Sequence, residues 1–172
     1  MPMNRSNCIC AILFVLLMAA ASGFLHAAMT FESPLSGAVR SNWFIINFVD
    51  HGDGANALDY MGGRQTYPTH TGIDIMLYDF LTMDEGIEAR AAAPGTVLAY
   101  VDGRDDRALE SVPNQIFLRH ADGSVSYYAH LKMNSIMVST GQVIAVGQKM
   151  AMVGADGTNE VSHLHFGVLD RW

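Results

Sequence analysis

The sequence predicts a mainly β protein in which antiparallel sheets form an open sandwich or barrel with a groove, and with few short helices. Short runs rich in Val, Ile, Tyr and Phe recur along the chain, and Gly, Asp and Asn separate them at close spacing. Runs of this length with turn residues between them are typical of antiparallel strands. Helical patterning is nearly absent, and only the segment 76–93 is a candidate helix, with a loop over the next strand as the equal alternative. The predicted strands are "NWFIINFV", "GTVLAYVDG", "NQIFLRHADG", "SVSYYAHL", "QVIAVGQ", "MAMVGADG" and "HLHFGV".

Residues 1–28 have the three parts of a secretory signal peptide. Arg5 precedes a charge-free apolar run, and the small residues of "AASG" and "LHAA" follow it. The run from residue 9 to 24 has 16 residues, fewer than the ~20 that a membrane-spanning helix usually needs. We therefore expect cleavage between Gly23 and Met29, export to the periplasm or the cell exterior, and no membrane contact after cleavage, with an uncleaved anchor as the less favoured alternative.

The remaining 144 residues suffice for one domain and contain no cysteine, because Cys8 and Cys10 leave with the signal peptide. A disulfide-free exported chain suits the cell envelope. This part carries nine Lys and Arg against 17 Asp and Glu, a balance of about −8, which argues against nucleic acid as a partner. We expect residues 29–66 to form a strand and a long loop that lead into a domain over residues 67–172. The oligomeric state stays open.

The first pair of candidate site residues lies in the stretch "HTGIDI". His70 and Asp74 are four positions apart, and on a strand an even offset places two side chains on the same face. The β-branched residues Ile73 and Ile75 favour a strand over a helix here.

Three further histidines fall on predicted strands. In "SHLHFGV", His163 and His165 share one face, while the intervening apolar residues face the core. In "HADGSVSYYAHL", the Asp122-Gly123 dipeptide predicts a hairpin turn, and strand alternation places His130 on the polar face of the second arm.

These five residues match the chemistry of a catalytic zinc site. Catalytic zinc commonly takes three nitrogen or oxygen ligands, which two imidazoles and one carboxylate supply. The two remaining histidines would accept a proton or donate a hydrogen bond to the reacting oxygen. A non-haem iron oxygenase uses a similar ligand triad, but export to an oxidising compartment disfavours Fe(II). The residues alone leave open which of His163 and His165 binds metal, and we expect His51 and His120 to be loop and hairpin residues.

Three motifs in order resemble the M23 metallopeptidases, the lysostaphin-like zinc endopeptidases that cut peptide bonds in peptidoglycan. They are "HTGID" at 70–74, "YAHL" at 128–131 and "HLHF" at 163–166, and glycine-rich connections between them also fit. Two departures concern the groove: "VPNQ" stands where the family often has Gly-Asn, and Gly167 stands where an acidic residue is common.

The resemblance implies a role for each of the five residues. His70, Asp74 and His165 would bind Zn²⁺, whereas His130 and His163 would form the catalytic pair. The expected substrate is a peptide of peptidoglycan, in a groove with Tyr128 and the 76–90 segment as walls. A non-catalytic member of the family, which binds peptidoglycan or activates a partner hydrolase, is the alternative. The presence of all five residues favours the enzyme.

Overall fold

A computed structural model describes residues 29–106, 112–155 and 161–170. The predicted signal peptide, with Cys8 and Cys10, lies outside the described residues. Within these ranges the chain forms nine strands and one short helix. In order they are β1 (Trp43–Asn47), β2 (Ile73–Leu77), α1 (Phe80–Glu85), β3 (Glu88–Arg90), β4 (Gly95–Val101), β5 (Gln115–Arg119), β6 (Val125–Ala129), β7 (Val143–Ile144), β8 (Lys149–Met152) and β9 (His163–Leu169).

The strands form one large antiparallel sheet and one small sheet. The seven-stranded sheet has the order β1-β2-β9-β6-β5-β4-β7, and β3 pairs with β8. β9 lies between β2 and β6. His165 of β9 is directly opposite Asp74 on β2 and directly opposite Ala129 on β6. This architecture confirms the predicted mainly β, antiparallel fold, and it brings the three sequence motifs onto neighbouring strands.

The hydrophobic core lies on one face of the large sheet. Alternate residues of its strands, such as Ile75, Leu118 and Leu164, point into the core and pack in one cluster with Met150 and Ala151 of the small sheet. Because successive side chains of a strand face opposite ways, their neighbours Asp74 and His165 project from the other face.

The segment before β1, predicted as part of a lead-in, packs on this core. Leu35 is buried in the core cluster, and the Phe31 ring lies edge-on to Phe166 at 6.3 Å between ring centroids. The backbone N–H of Arg90 donates to the carbonyl of Pro34, which ties the segment to β3. Residues outside the predicted domain therefore contribute to the same packed unit.

The region 76–93 combines elements that the sequence pattern did not separate. It contains the end of β2, a six-residue helix and β3. The Asp79 carboxylate caps the helix by accepting the Thr82 N–H at 2.7 Å, and Gly86, with φ +100°, ends it. The predicted hairpin is confirmed, since β5 and β6 pair around the Asp122-Gly123 turn. In the part of the chain that the structure describes, no helix is long and apolar enough to cross a membrane.

Candidate metal centre

The three predicted metal ligands converge on one point. Asp74 Oδ1 lies 3.1 Å from His70 Nε2 and 2.8 Å from His165 Nδ1, and the two ring nitrogens are 3.1 Å apart. His70 and Asp74 are each only 3% exposed. One carboxylate oxygen and two imidazole nitrogens thus face one another in a largely buried space.

The local backbone explains how these residues meet. Asp74 and His165 are cross-strand partners on β2 and β9, whereas His70 precedes β2 instead of lying on it as predicted. Thr69 has φ +67°, an unusual conformation for a β-branched residue. The turn at Thr69 therefore brings the His70 ring to Asp74, and the alternation of side chains along a strand does not.

Each ligand side chain has a second partner that the sequence did not reveal. His70 Nδ1 donates to the Phe48 carbonyl at 2.7 Å, so in the neutral ring Nε2 carries the lone pair. His165 Nε2 lies 2.7 Å from Tyr127 Oη. The Asn47 amide donates to Asp74 Oδ2 at 2.9 Å, leaving Oδ1 for the centre. Such partners fix the tautomer and orientation of ligands.

The electrostatics of the cluster favour a bound cation. In the metal-free cluster, burial acts to raise the pKa of Asp74, but hydrogen bonds with the protonated rings of His165 and His70 and with Asn47 hold that pKa far below its usual range. Burial also acts to lower the pKa of His70, while Asp74 and the Phe48 carbonyl raise it overall. An ionised carboxylate beside two imidazole nitrogens is a donor set that Zn²⁺ prefers. The residues present therefore fit the metal that the resemblance implies.

His130 and His163 lie together beside the three ligands. Their ring centroids are 4.5 Å apart, and His163 Nε2 is 3.8 Å from Asp74 Oδ1. Burial lowers the pKa of His163. β6 ends at Ala129, and His130 adopts a left-handed backbone with φ +62°. The structure thus brings the two rings together, but His130 follows β6 and does not lie on its polar face as predicted.

The two tyrosines of β6 face opposite sides of the sheet, and Tyr128 faces the side opposite to the one predicted. Tyr128, predicted as a groove wall, is fully buried in the core, where its hydroxyl accepts the Ala92 N–H at 2.9 Å. Tyr127 instead faces the metal centre. The buried hydroxyl of Ser126 lies 2.8 Å from His120 Nε2, so polar residues of this strand fill the core side. Because both residues are tyrosines, their apolar character could not predict which of them faces the core.

His120 and His51 lie outside the cluster. His120 is buried, and its Nδ1 donates to the Pro94 carbonyl at 2.8 Å, so it connects the hairpin to the start of β4. His51 is exposed in a loop. Both have the structural positions that the sequence predicted.

The loop before His70 forms one side of the centre. The Tyr67 ring stacks on His70 at 4.3 Å between ring centroids, and burial together with the charge of Asp74 raises the pKa of Tyr67 to about 12. The Asp50 carboxylate accepts the Thr69 N–H at 2.9 Å and so holds the turn before His70. Sequence reasoning missed both residues, although Asp in a Gly-rich loop is a signal for such backbone capping. The 76–90 segment as a groove wall stays a prediction.

Comparison with protein families matches the model of "Peptidase family M23" to residues 68–171. Among curated relatives, "Cell division protein DipM" of Caulobacter vibrioides is 36% identical over 86 residues, or 48% of this chain and 14% of the relative. "Murein hydrolase activator NlpD" of Escherichia coli is 32% identical over 88 residues, or 49% of this chain and 22% of the relative. The chain thus covers less than a quarter of the length of these two relatives.

Solved structures share the fold. A catalytic-domain variant of the prophage-encoded M23 protein EnpA from Enterococcus faecalis has a TM-score of 0.53 at 18% identity, covering 76% of this chain and 83% of that chain. Helicobacter pylori Csd3 has a TM-score of 0.54 at 19% identity, covering 83% of this chain and 33% of that chain. The family match spans more than half of the sequence and contains all five residues of the centre. The chain therefore belongs to peptidase family M23.

Proposed function

We propose that this protein is an exported zinc metalloendopeptidase that hydrolyses peptide bonds of peptidoglycan in the cell envelope. The observation that carries the proposal is the convergence of His70, Asp74 and His165 at one buried point, with His130 and His163 beside it. A binding module needs the fold, but it does not need three metal donors and an adjacent imidazole pair.

His70, Asp74 and His165 would hold the metal. When bound, Zn²⁺ supplies Lewis-acid activation of water and of the scissile carbonyl. The hydrogen bonds from Asn47 and to the Phe48 carbonyl keep Asp74 and His70 in position. Their arrangement does not depend on substrate, which is the preorganisation that catalysis requires.

His163 and His130 would act on the substrate. Burial lowers the pKa of His163, which favours the neutral ring, and a neutral imidazole has one nitrogen that can accept a proton. His163 Nδ1 faces the Val161 carbonyl at 3.5 Å, so Nε2 is the proton acceptor that points toward the centre. His130 lies against this ring and would donate a hydrogen bond to the reacting oxygen.

The proposed substrate and location rest on the family and on the predicted signal peptide. The curated relatives include a protein whose name refers to murein, and another whose name refers to the outer membrane. These names describe those proteins, and they support a peptidoglycan peptide as substrate and the periplasm or cell exterior as location.

One observation favours a second function. The relative NlpD is named an activator of murein hydrolases, so this chain is alternatively a non-catalytic protein that binds peptidoglycan or activates a partner hydrolase. In that case the chain would keep the five residues of the centre but would not hydrolyse peptidoglycan. Cleavage by the purified protein alone separates the two functions.

The roles are tested by four alanine variants, whose zinc content, melting temperature and turnover on purified sacculi are measured together. Asp74→Ala and His165→Ala should lose zinc and activity together. His130→Ala and His163→Ala should keep zinc and lose roughly 10²–10³ in turnover, as expected for an acid–base or oxyanion partner. Loss of zinc from the His163 variant would show that the roles are assigned wrongly.

A further inference from the structure

The cross-strand pair of Tyr127 and Gly167 lies at the edge of the metal centre. The two residues are directly opposite each other on β6 and β9. A Cβ atom at Gly167 would lie 2.5 Å from Cζ and 2.7 Å from Oη of Tyr127, far inside ordinary contact distance. The Tyr127 ring therefore occupies the space that a side chain at position 167 would need.

This packing directs the Tyr127 hydroxyl to a metal ligand. Oη lies 2.7 Å from His165 Nε2 and 2.5 Å from Thr71 Oγ1. His165 Nδ1 faces Asp74, so it must be unprotonated to bind a cation, and the proton of the neutral ring then resides on Nε2. In that tautomer, His165 Nε2–H would donate to Tyr127 Oη, which leaves the Tyr127 hydroxyl proton to donate to Thr71 Oγ1.

We propose that Tyr127 and Gly167 act as one positioning unit for His165. Gly167 leaves room for the ring, and the ring presents the hydroxyl that fixes the tautomer and the orientation of the imidazole. This inference rests on the proposed zinc site. Any side chain at position 167 would displace the ring, because its Cβ atom alone would overlap the Tyr127 ring.

A purely structural role makes a different prediction. An aromatic ring that covers a cross-strand glycine stabilises a sheet whether or not the ring carries a hydroxyl. Tyr127→Phe keeps the ring and removes only the hydrogen-bonding group. Its effect on zinc affinity therefore separates positioning from packing.

The first experiment measures the dissociation constant of Zn²⁺ alone, by competition with a chromophoric chelator. Tyr127→Phe should weaken zinc binding by about 10–100-fold, the usual effect of losing a partner of a metal ligand. The melting temperature of the metal-free variant should stay close to that of the metal-free wild type. Tyr100→Phe, which alters an exposed tyrosine on β4, is the control and should leave both values unchanged.

The second experiment is a double-mutant cycle on the same affinity. Gly167→Ala should weaken zinc binding in the wild type, because the new methyl group displaces the Tyr127 ring. In a Tyr127→Ala background the same substitution should have no further effect on zinc binding, since the obstructing ring is gone. Additive losses, or a Tyr127→Phe variant with wild-type affinity, would overturn the inference while leaving the zinc site intact. A wild type that binds no Zn²⁺ would overturn both the inference and the proposed function.

Discussion

Gly72 lies where β2 approaches β9, and substitution by alanine should damage the metal centre directly. A Cβ atom there would lie 2.5 Å from the Phe166 carbonyl oxygen and 2.7 Å from His165 Nε2. Ordinary contact begins near 3.4 Å, so these atoms must separate by about 0.7–0.9 Å. Metal–ligand distances tolerate deviations of about 0.2 Å. Even half of this separation, taken up by the His165 ring, would exceed what a zinc site accepts.

The Gly72→Ala protein should lose at least about tenfold in zinc affinity and about 1–3 kcal/mol in the free energy of unfolding, the usual cost of overpacking. Chelator competition gives the affinity, and denaturant unfolding of the metal-free protein gives the stability. Gly123→Ala is the matched control. Gly123 has φ +90° in the β5–β6 turn and open space around it, so its substitution costs stability without reaching the centre. Wild-type zinc affinity in Gly72→Ala would refute this geometry.

Two further predictions concern the loop and strand that precede the family match. Asn47→Ala removes the donor to Asp74 Oδ2 and should weaken zinc binding about tenfold. The control Asn56→Ala, in the exposed loop, should leave zinc binding unchanged. Equal zinc affinities of the two variants would contradict the role of Asn47. Asp50 and Asp59 have lowered pKa values, mainly because the N–H groups of Gly52 and Gly63 bind them. This stabilisation is complete above their unfolded pKa, near 3.9, and is lost as the pH falls through the lower folded value. Hydrogen exchange of residues 50–66 should therefore accelerate in this acid window before the sheet opens, and a loop that stays protected until global unfolding would refute it.

The sequence predicted the antiparallel fold and the five residues of the centre because their positions follow from short-range patterns. Alternation along β9 separates His163 and His165 from Leu164 and Phe166, and the structure keeps this separation. The backbone that brings His70 to Asp74 differs from the predicted one. The turn at Thr69 replaced the expected strand, yet both geometries bring residues four apart to the same side.

The partners of the ligands depend on long-range contacts that no local pattern encodes. Asn47 meets Asp74 because β1 pairs with β2 and its register shifts between Ile45 and Asn47. Such a bulge changes which side chain faces a neighbouring strand, so alternation along β1 does not predict it. The Phe48 carbonyl is a backbone group, and its role carries no side-chain signature.

Tyr127 shows the limit of reading polarity from one strand. Side chains of β6 alternate between the two faces as predicted, but Tyr128 points into the core and not into the groove. The core accepts its hydroxyl because hydrogen bonds satisfy it. Tyr128, Ser126 and His120 satisfy one another there. The pairing of β6 with β9 decides which face of β6 lies at the metal centre. The sequence of β6 alone carries no information about this pairing.

The most direct test of the proposed activity is digestion of purified sacculi by the zinc-loaded protein alone, with soluble products identified by mass spectrometry. The account predicts fragments that arise from hydrolysis of amide bonds within the peptides of peptidoglycan. Their release should stop when a chelator removes the metal and resume when Zn²⁺ is restored. A protein that holds zinc but releases no fragment from a panel of cell walls, while it accelerates an added hydrolase, would contradict the account and establish the activator instead.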